Sequence, residues 1–259
     1  METDALHGPD ALSGFEVDID ALYADMNRTG VGTLHNVIPP AFLEQMRRFV
    51  GEELERRGGQ YFGLDRADGV EDSPLLPVIR HPDLNAAVRA LYERGMGKAP
   101  PHDRLFPVLR VLAGSIGVRH AHLYHYDSYV VTALVPILIP DRPNEPPGHL
   151  VMYPNLRRER HFMLANVLEK AVMESKLARK LWRTGWMQRA LGARIVPLTP
   201  GNVYFFWGRR SLHANEACLP TSVRCTALLH FGDPHENSPL KRLSQSLHRR
   251  SLKRLAHAR

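Results

Sequence analysis

The residues best suited to chemistry are a close pair and one partner far along the chain. In HLYHYDSY, His125 and Asp127 stand two apart. On extended backbone, residues i and i+2 point to one face, so both side chains can reach a single ion. GNVYFFWGRRSLHANE follows, with His213, just past a predicted strand, 86 residues beyond Asp127. Two imidazoles and one carboxylate on one face of an octahedron leave three positions open, which suits non-haem iron(II), a chelating cosubstrate and O₂. Arg224 lies 11 residues after His213 in PTSVRCTALLHF, on a run that reads as the next strand. Facing in, its planar and permanently charged fork matches the distal carboxylate of a dicarboxylic acid. Read as structure only, His125 would be a core histidine, Asp127 a turn residue and Arg224 a surface cation. Buried ionisable groups need partners, however, and these supply each other. Spacing alone does not decide, because His81-Pro82-Asp83 has the same pattern. That pair leads into DLNAAVRALYERG, where Asp83 reads as a helix N-cap rather than a ligand.

Strands must carry such a site, and the second half of the chain supplies them. From about Leu105, VLRVLAGSIGV, HAHLYHYD, VVTALVPILIP, HLVMY, ARIVPL, NVYFFWG and VRCTALLHF are short β-branched or aromatic runs punctuated by Gly, Pro, Asn and Asp. That is the texture of a β-barrel or jelly roll. The first part of the chain reads as mostly helical. Residues 1–14 are a loose lead-in, and Gly30 to Ile38 is strand-like. Pro39 and Pro40 open a helix from about Phe42 to Arg57, with Phe42, Met46, Phe49, Val50 and Leu54 at helical spacing. Residues 58–75 read as a loop, a second helix falls near Pro82 to Arg94, and a Pro-rich loop covers 99–107. An insert at 156–192 interrupts the strands, where Leu164, Leu168, Val172, Leu181, Trp182, Trp186 and Leu191 predict one or two amphipathic helices. The expected fold class is α+β: a jelly-roll core with flanking helices, as a single catalytic domain over residues 1–259.

Bulk composition narrows the function classes. Hydrophobic residues at 44% and charged residues at 24% are ordinary for a globular chain with a sizeable core. No apolar run approaches the roughly 18 residues of a membrane-spanning helix. The start, METDALHGPD, lacks the basic and apolar parts of a signal peptide. Two cysteines, Cys218 and Cys225, make no disulfide framework, so free thiols and a cytoplasmic location are expected. The net charge of +7 is unevenly placed. Residues 1–26 carry seven acidic and no basic side chains, residues 155–194 ten basic and three acidic, and residues 240–259 seven basic and none acidic. Such basic segments can meet an acidic ligand, a nucleic acid or another subunit of a homo-oligomer, and more ordinarily are solvated helix faces and a tail.

From about Gly30 to Asp233 the chain resembles the phytanoyl-CoA dioxygenase-like branch of the iron(II)/2-oxoglutarate oxygenases. GVGTLHNVIPPAFLEQMRRFV is similar to that branch's opening strand and helix, and YHYDSY to its metal-binding HxD. VPILIPDRPNEPPGHLVMYP looks like its strand, acidic loop and glycine-led return strand. LTPGNVYFFWGRRSLHANEA and SVRCTALLHF resemble the segments of its distal histidine and 2-oxoglutarate arginine. The resemblance implies a double-stranded β-helix, iron(II), 2-oxoglutarate and O₂ as cofactor and cosubstrates, and oxidative decarboxylation of 2-oxoglutarate to succinate. His125, Asp127 and His213 would hold the metal and Arg224 the cosubstrate. The chain departs from the family pattern in the insert after Pro154 and in the basic run Trp207-Gly208-Arg209-Arg210.

The remaining candidates weigh less. Thr132 could contact 2-oxoglutarate from a neighbouring strand, although strand packing also favours threonine. His120, His122, Tyr124 and Tyr126 are expected to share the strand of His125 and to point away from it by parity. Trp182 and Trp186 read as core of the insert or as a substrate-lining underside of a lid. The expected activity is hydroxylation or a related oxidation of a small organic substrate, an acidic one if the basic insert covers the metal. Halogenation is disfavoured because Asp127 fills the place a halide would take. A nucleic-acid demethylase of the same chemistry is disfavoured because His230 stands where the repair-type enzymes carry a second arginine. A non-catalytic barrel that only binds ligand is the rival from another class.

Overall fold

Side-chain alternation along the strands of two antiparallel sheets decides what each sheet face meets. The computed structural model describes residues 14–157 and 176–233. The lead-in before Gly14, residues Leu164, Leu168 and Val172 of the predicted insert, and the basic tail at 239–259 lie outside the described residues. The larger sheet has six strands in the order β1 (Gly32–Leu34), β7 (Val203–Trp207), β4 (Val131–Leu138), β9 (Arg224–Phe231), β3 (Phe106–Leu112) and β2 (Phe62–Leu64). The smaller has three, in the order β6 (Arg194–Val196), β5 (Leu150–Tyr153) and β8 (Leu212–Asn215). Among the described residues no strand pairing joins the two into a closed barrel.

Seven helices accompany them among the described residues: α1 (Ile19–Arg28), α2 (Pro40–Arg56), α3 (Leu76–Arg80), α4 (Pro82–Met96), α5 (Gly114–Arg119), α6 (Lys176–Trp182) and α7 (Gly185–Ala190). Asp18 caps α1 by accepting from the Ala21 amide at 2.9 Å, satisfying one of the orphan donors of the first turn. Pro40 starts α2 with its φ already set for a helix. At α4 the cap position is His81, and Asp83 lies inside the first turn rather than at the cap expected from sequence. Its charge still favours the helix N-terminus.

One face of the larger sheet packs on these helices. Val131, Ala133 and Val135 of β4, Phe205 and Trp207 of β7, and Ala227 and Leu229 of β9 join Leu22, Met26, Met46, Val50 and Leu91 in a common core. The alternate residues Leu134, Tyr204 and Phe206 pack instead against Leu150 and Met152 of the smaller sheet. The outer face of that smaller sheet, Val151, Tyr153, Leu212 and Ala214, buries Tyr124, Tyr126 and Trp182. The order of layers is therefore helices, large sheet, small sheet, and the end of the insert. No helix of the described residues is long and apolar enough to cross a membrane.

Three sequence expectations need correction. The run VLRVLAGSIGV is not one strand: β3 stops at Leu112, Gly114 takes a left-handed φ of +64°, and α5 follows. HAHLYHYD is not a continuous strand either, since His122 sits in a turn at φ +54° and His125 makes a single isolated bridge. His120 and His122 thus share no strand with His125. Trp186 is no core residue, being 56% exposed, whereas Trp182 is buried. The described end of the insert leans on the outer face of the small sheet, away from the inner one.

Candidate metal centre

The candidate ligands meet where the two sheets come together. His213 lies inside β8, not beyond a strand, and pairs with Met152 of the inner-facing set. His125 pairs with His213 through two backbone hydrogen bonds of 3.0 Å, which extends the small sheet at the free edge of β8. Parity then turns Tyr124 and Tyr126 outward into the apolar cluster and His125 inward. Two residues on, the Asp127 amide donates to the Gly208 carbonyl at 2.9 Å, carrying the chain across to the large sheet.

His125 Nε2 and His213 Nε2 lie 3.7 and 3.6 Å from Asp127 Oδ1. The three ligand atoms lie within 4.8 Å of one another, the one such group of three among the described residues. Adjacent ligand atoms of an octahedral ion at about 2.1 Å are roughly 3 Å apart, so the two separations from Asp127 Oδ1 would each close by under an ångström on binding. Both ring orientations favour it. His125 Nδ1 donates to the Leu123 carbonyl at 2.8 Å and His213 Nδ1 to the Ser211 carbonyl at 3.0 Å, which leaves each Nε2 lone pair aimed at the centre. The rings stand 4.5 Å apart, and Phe206 packs its edge on His213.

Burial and neighbouring charges shift all three groups. Burial alone would push Asp127 up, but His213 and His230, with a smaller contribution from His125, hold it well below the usual carboxylate range. Burial lowers His213, and the neighbouring Asp127 outweighs it, so His213 ends above its ordinary value. His125 is driven down to about 4, first by burial and then by His213. The carboxylate thus favours the protonated form of His213 and burial the neutral form of His125, so a metal cation at this cluster would compete with protons for the imidazoles.

Asp127 uses its two oxygens differently. Oδ1 faces the histidines, while Oδ2 accepts from the Thr132 hydroxyl at 2.6 Å. Having given its proton to Asp127, Thr132 accepts from His230 Nδ1 at 3.0 Å. Thr132 is therefore placed behind the carboxylate, and His230, stacked on Tyr129, behind Thr132. A side chain at Gly208 would come within 2.7 Å of Asp127 Oδ2 and 2.9 Å of Thr132 Oγ1, so the position must stay bare. Sequence reasoning missed the roles of His230 and Gly208; the glycine sitting between a strand and the distal histidine was the available signal.

Arg224 opens β9 on the same inner face, 3% exposed. Nε donates to the Gly148 carbonyl at 2.6 Å and NH1 to Thr226 at 3.4 Å. Among the described residues no carboxylate stands within ion-pair distance of it. Burial lowers its pKa to about 10, which leaves it charged at neutral pH. Gly148 has φ +68°, and a side chain there would strike Cys218 and Arg224, so its glycine is required twice over. Cys218 and Cys225 are buried free thiols beside Arg224, not beside the histidines. The basic run behaves differently from either. Arg209 is buried, and Arg210 lies over the Trp207 ring and donates to Asn27. Arg210 belongs to the seam with α1.

No protein-family model matches the chain, and no curated protein matches it in sequence. Solved structures do share its architecture. The non-heme alpha-ketoglutarate-dependent carbocyclase SnoK from nogalamycin biosynthesis superposes with a TM-score of 0.53 at 19% identity, over 87% of each chain. The epimerase SnoN of the same biosynthesis, in complex with Fe3+, alpha-ketoglutarate and nogalamycin RO, gives 0.54 at 13% identity over 83% of each chain. A prolyl 4-hydroxylase from Phytophthora capsici gives 0.54 at 13% identity, over 87% of this chain and 69% of that one. At these identities the likeness is one of fold alone.

Proposed function

We propose that the protein is an iron(II)- and 2-oxoglutarate-dependent oxygenase acting on a small organic molecule. One observation carries this: a His125–Asp127–His213 cluster faces the same interior as a buried arginine that lacks a carboxylate partner among the described residues. An uncompensated buried guanidinium is costly, and a dicarboxylic acid that also chelates the metal removes that cost. The donor set fits iron(II): two imidazoles and a carboxylate, no thiolate, with open positions. The motif order favours the phytanoyl-CoA dioxygenase-like branch, and the two facing sheets favour reading the core as a double-stranded β-helix.

In this reading His125 Nε2, Asp127 Oδ1 and His213 Nε2 hold iron(II), which when bound would supply the redox chemistry coupling O₂ to 2-oxoglutarate and substrate. The backbone carbonyls of Leu123 and Ser211 fix the imidazole tautomers. Thr132 keeps Asp127 Oδ1 forward by binding Oδ2. Arg224, oriented by the Gly148 carbonyl, pairs with the distal carboxylate of 2-oxoglutarate in a dry site, where a charge-assisted fork is strongest. The net reaction takes 2-oxoglutarate, O₂ and substrate to succinate, CO₂ and hydroxylated product.

The test is conversion of 2-oxoglutarate to succinate by the purified protein with iron(II). Turnover is expected in the wild type and not in His125→Ala, Asp127→Ala or His213→Ala, each of which should bind less than one equivalent of iron. Full iron stoichiometry in all three variants, or no turnover in an iron-loaded wild type, would overturn the assignment.

A further inference from the structure

We propose that Arg110 is a second anion anchor of this cavity, one that takes an oxyanion (a carboxylate or phosphate) of the substrate rather than of the cosubstrate. The proposal rests on the iron and 2-oxoglutarate reading. Arg110 lies in β3, directly across from Thr226 of β9 and Gly63 of β2. Its neighbours Leu109 and Val111 belong to the helix-side core, so Arg110 is on the inner face. Thr226 is the residue that accepts from Arg224. The two arginines therefore stand on adjacent strands facing one interior. The Arg110 charge reaches Arg224 across that interior and disfavours its protonated form.

Arg110 has no carboxylate within ion-pair distance among the described residues. Two guanidinium groups facing one interior repel each other in a poorly screened space, so the arrangement calls for anions. The charge count needs two of them. Asp127 belongs to the metal, and 2-oxoglutarate brings two carboxylates, one for chelation and one for Arg224. Arg110 is left over. Burial separates their tasks: Arg224 is sealed at 3% exposure, while Arg110 is only half-buried and open to an incoming molecule. Little side-chain bulk crowds the flank of Arg110. Gly63 places no side chain on that face, and a Cβ there would meet nothing nearer than 3.5 Å. The Tyr61 hydroxyl lies 3.7 Å from that Cβ position, and its ring stacks on His120 at 4.0 Å. His120 also feels the Arg110 charge. A planar fork with a hydroxyl beside it suits a carboxylate or phosphate, and the Tyr61–His120 stack offers its carrier an aromatic wall.

The experiment uses the full chain loaded anaerobically with iron(II) and 2-oxoglutarate, whose chelate absorbs in the visible. Phenylacetate, phenyl phosphate and the neutral phenylacetamide are titrated as probes, read by the perturbation of that absorption. In the wild type at least one anion should bind tighter than the amide by about tenfold or more, the size expected of a charged hydrogen-bonded contact. Arg110→Gln should erase that preference while leaving 2-oxoglutarate affinity unchanged, and Arg110→Lys should keep part of it. The two anions distinguish carboxylate from phosphate, and the retained chelate shows that each variant is folded. Equal binding of anions and amide to the wild type overturns the proposal. So does a loss of 2-oxoglutarate affinity in Arg110→Gln, which would give Arg110 to the cosubstrate. A wild type that forms no chelate removes the underlying reading itself, and that failure is seen before any probe is added.

Discussion

At the scale of single residues, the carboxylate of Asp127 shows how the site is held ready. A carboxylate on a turn can rotate, and a metal ligand must not. Here Oδ2 is tied to Thr132 at 2.6 Å, and Thr132 in turn to His230 at 3.0 Å, so Oδ1 is the oxygen left for the ion. Sequence placed Thr132 on a neighbouring strand with a possible contact to cosubstrate; in the structure its hydroxyl donates to Asp127. Thr132→Val keeps the shape and removes the donor. Iron(II) affinity should fall by roughly ten- to a hundredfold, the usual effect of losing an outer hydrogen bond to a metal ligand, while Thr132→Ser should retain most of it. An iron titration in which Thr132→Val matches the wild type would mean that the carboxylate is held in some other way. The candidate pair His125 and Asp127 was readable because its types and spacing are local, whereas His213 lies 86 residues beyond Asp127. The Thr132–His230 contact joins residues 98 apart, and only the pairing of β4 with β9 brings them side by side.

At the scale of elements, what was legible depended on how continuous each apolar run is. β4, β7 and β9 are eight, five and eight residues long and almost wholly buried, and they read as strands at once. β8 has four residues, LHAN, with only two apolar, so His213 was expected just past a strand when it is in one. α1 escaped the sequence reading although Asp18 with Leu22 and Met26 spaced four apart was a usable signal. Of the apolar residues expected to pack in the insert, the described ones divide, with Trp182 buried and Leu181, Trp186 and Leu191 exposed. Trp182 ends α6 buried against Tyr153, ring centroids 5.3 Å apart, on the outer side of the small sheet. Trp186 in α7 is 56% exposed. Trp182→Ala should therefore destabilise the fold by about 3–5 kcal/mol, and Trp186→Ala by no more than about 0.5 kcal/mol, measured by denaturant unfolding. Equal losses at the two positions would contradict the packing described.

At the scale of the whole molecule, the two sheets do different work. The large sheet is fixed by helices on one face and lends Arg224, Thr132 and His230 from the other. The small sheet brings His125 and His213. Asp127 lies on the segment that crosses between them. No sequence pattern announces that division, because it depends on which faces meet rather than on which residues alternate. It has an energetic consequence. The inner face holds a buried guanidinium from the large sheet and, between the two sheets, a cluster with metal-ligand spacing. Anything that binds this interior pins the two sheets together and stabilises the fold by mass action. Anaerobic iron(II) with 2-oxoglutarate at a hundred times its dissociation constant should add about 2.7 kcal/mol, which for a chain of this size raises Tm by roughly 5–10 °C. Arg224→Gln should keep the rise produced by iron(II) alone and lose the further rise produced by 2-oxoglutarate. Asp127→Ala should lose both, because the chelate needs the metal. If 2-oxoglutarate still stabilised Asp127→Ala as it does the wild type, the cosubstrate would be binding without the cluster, and the two sheets would not share one site.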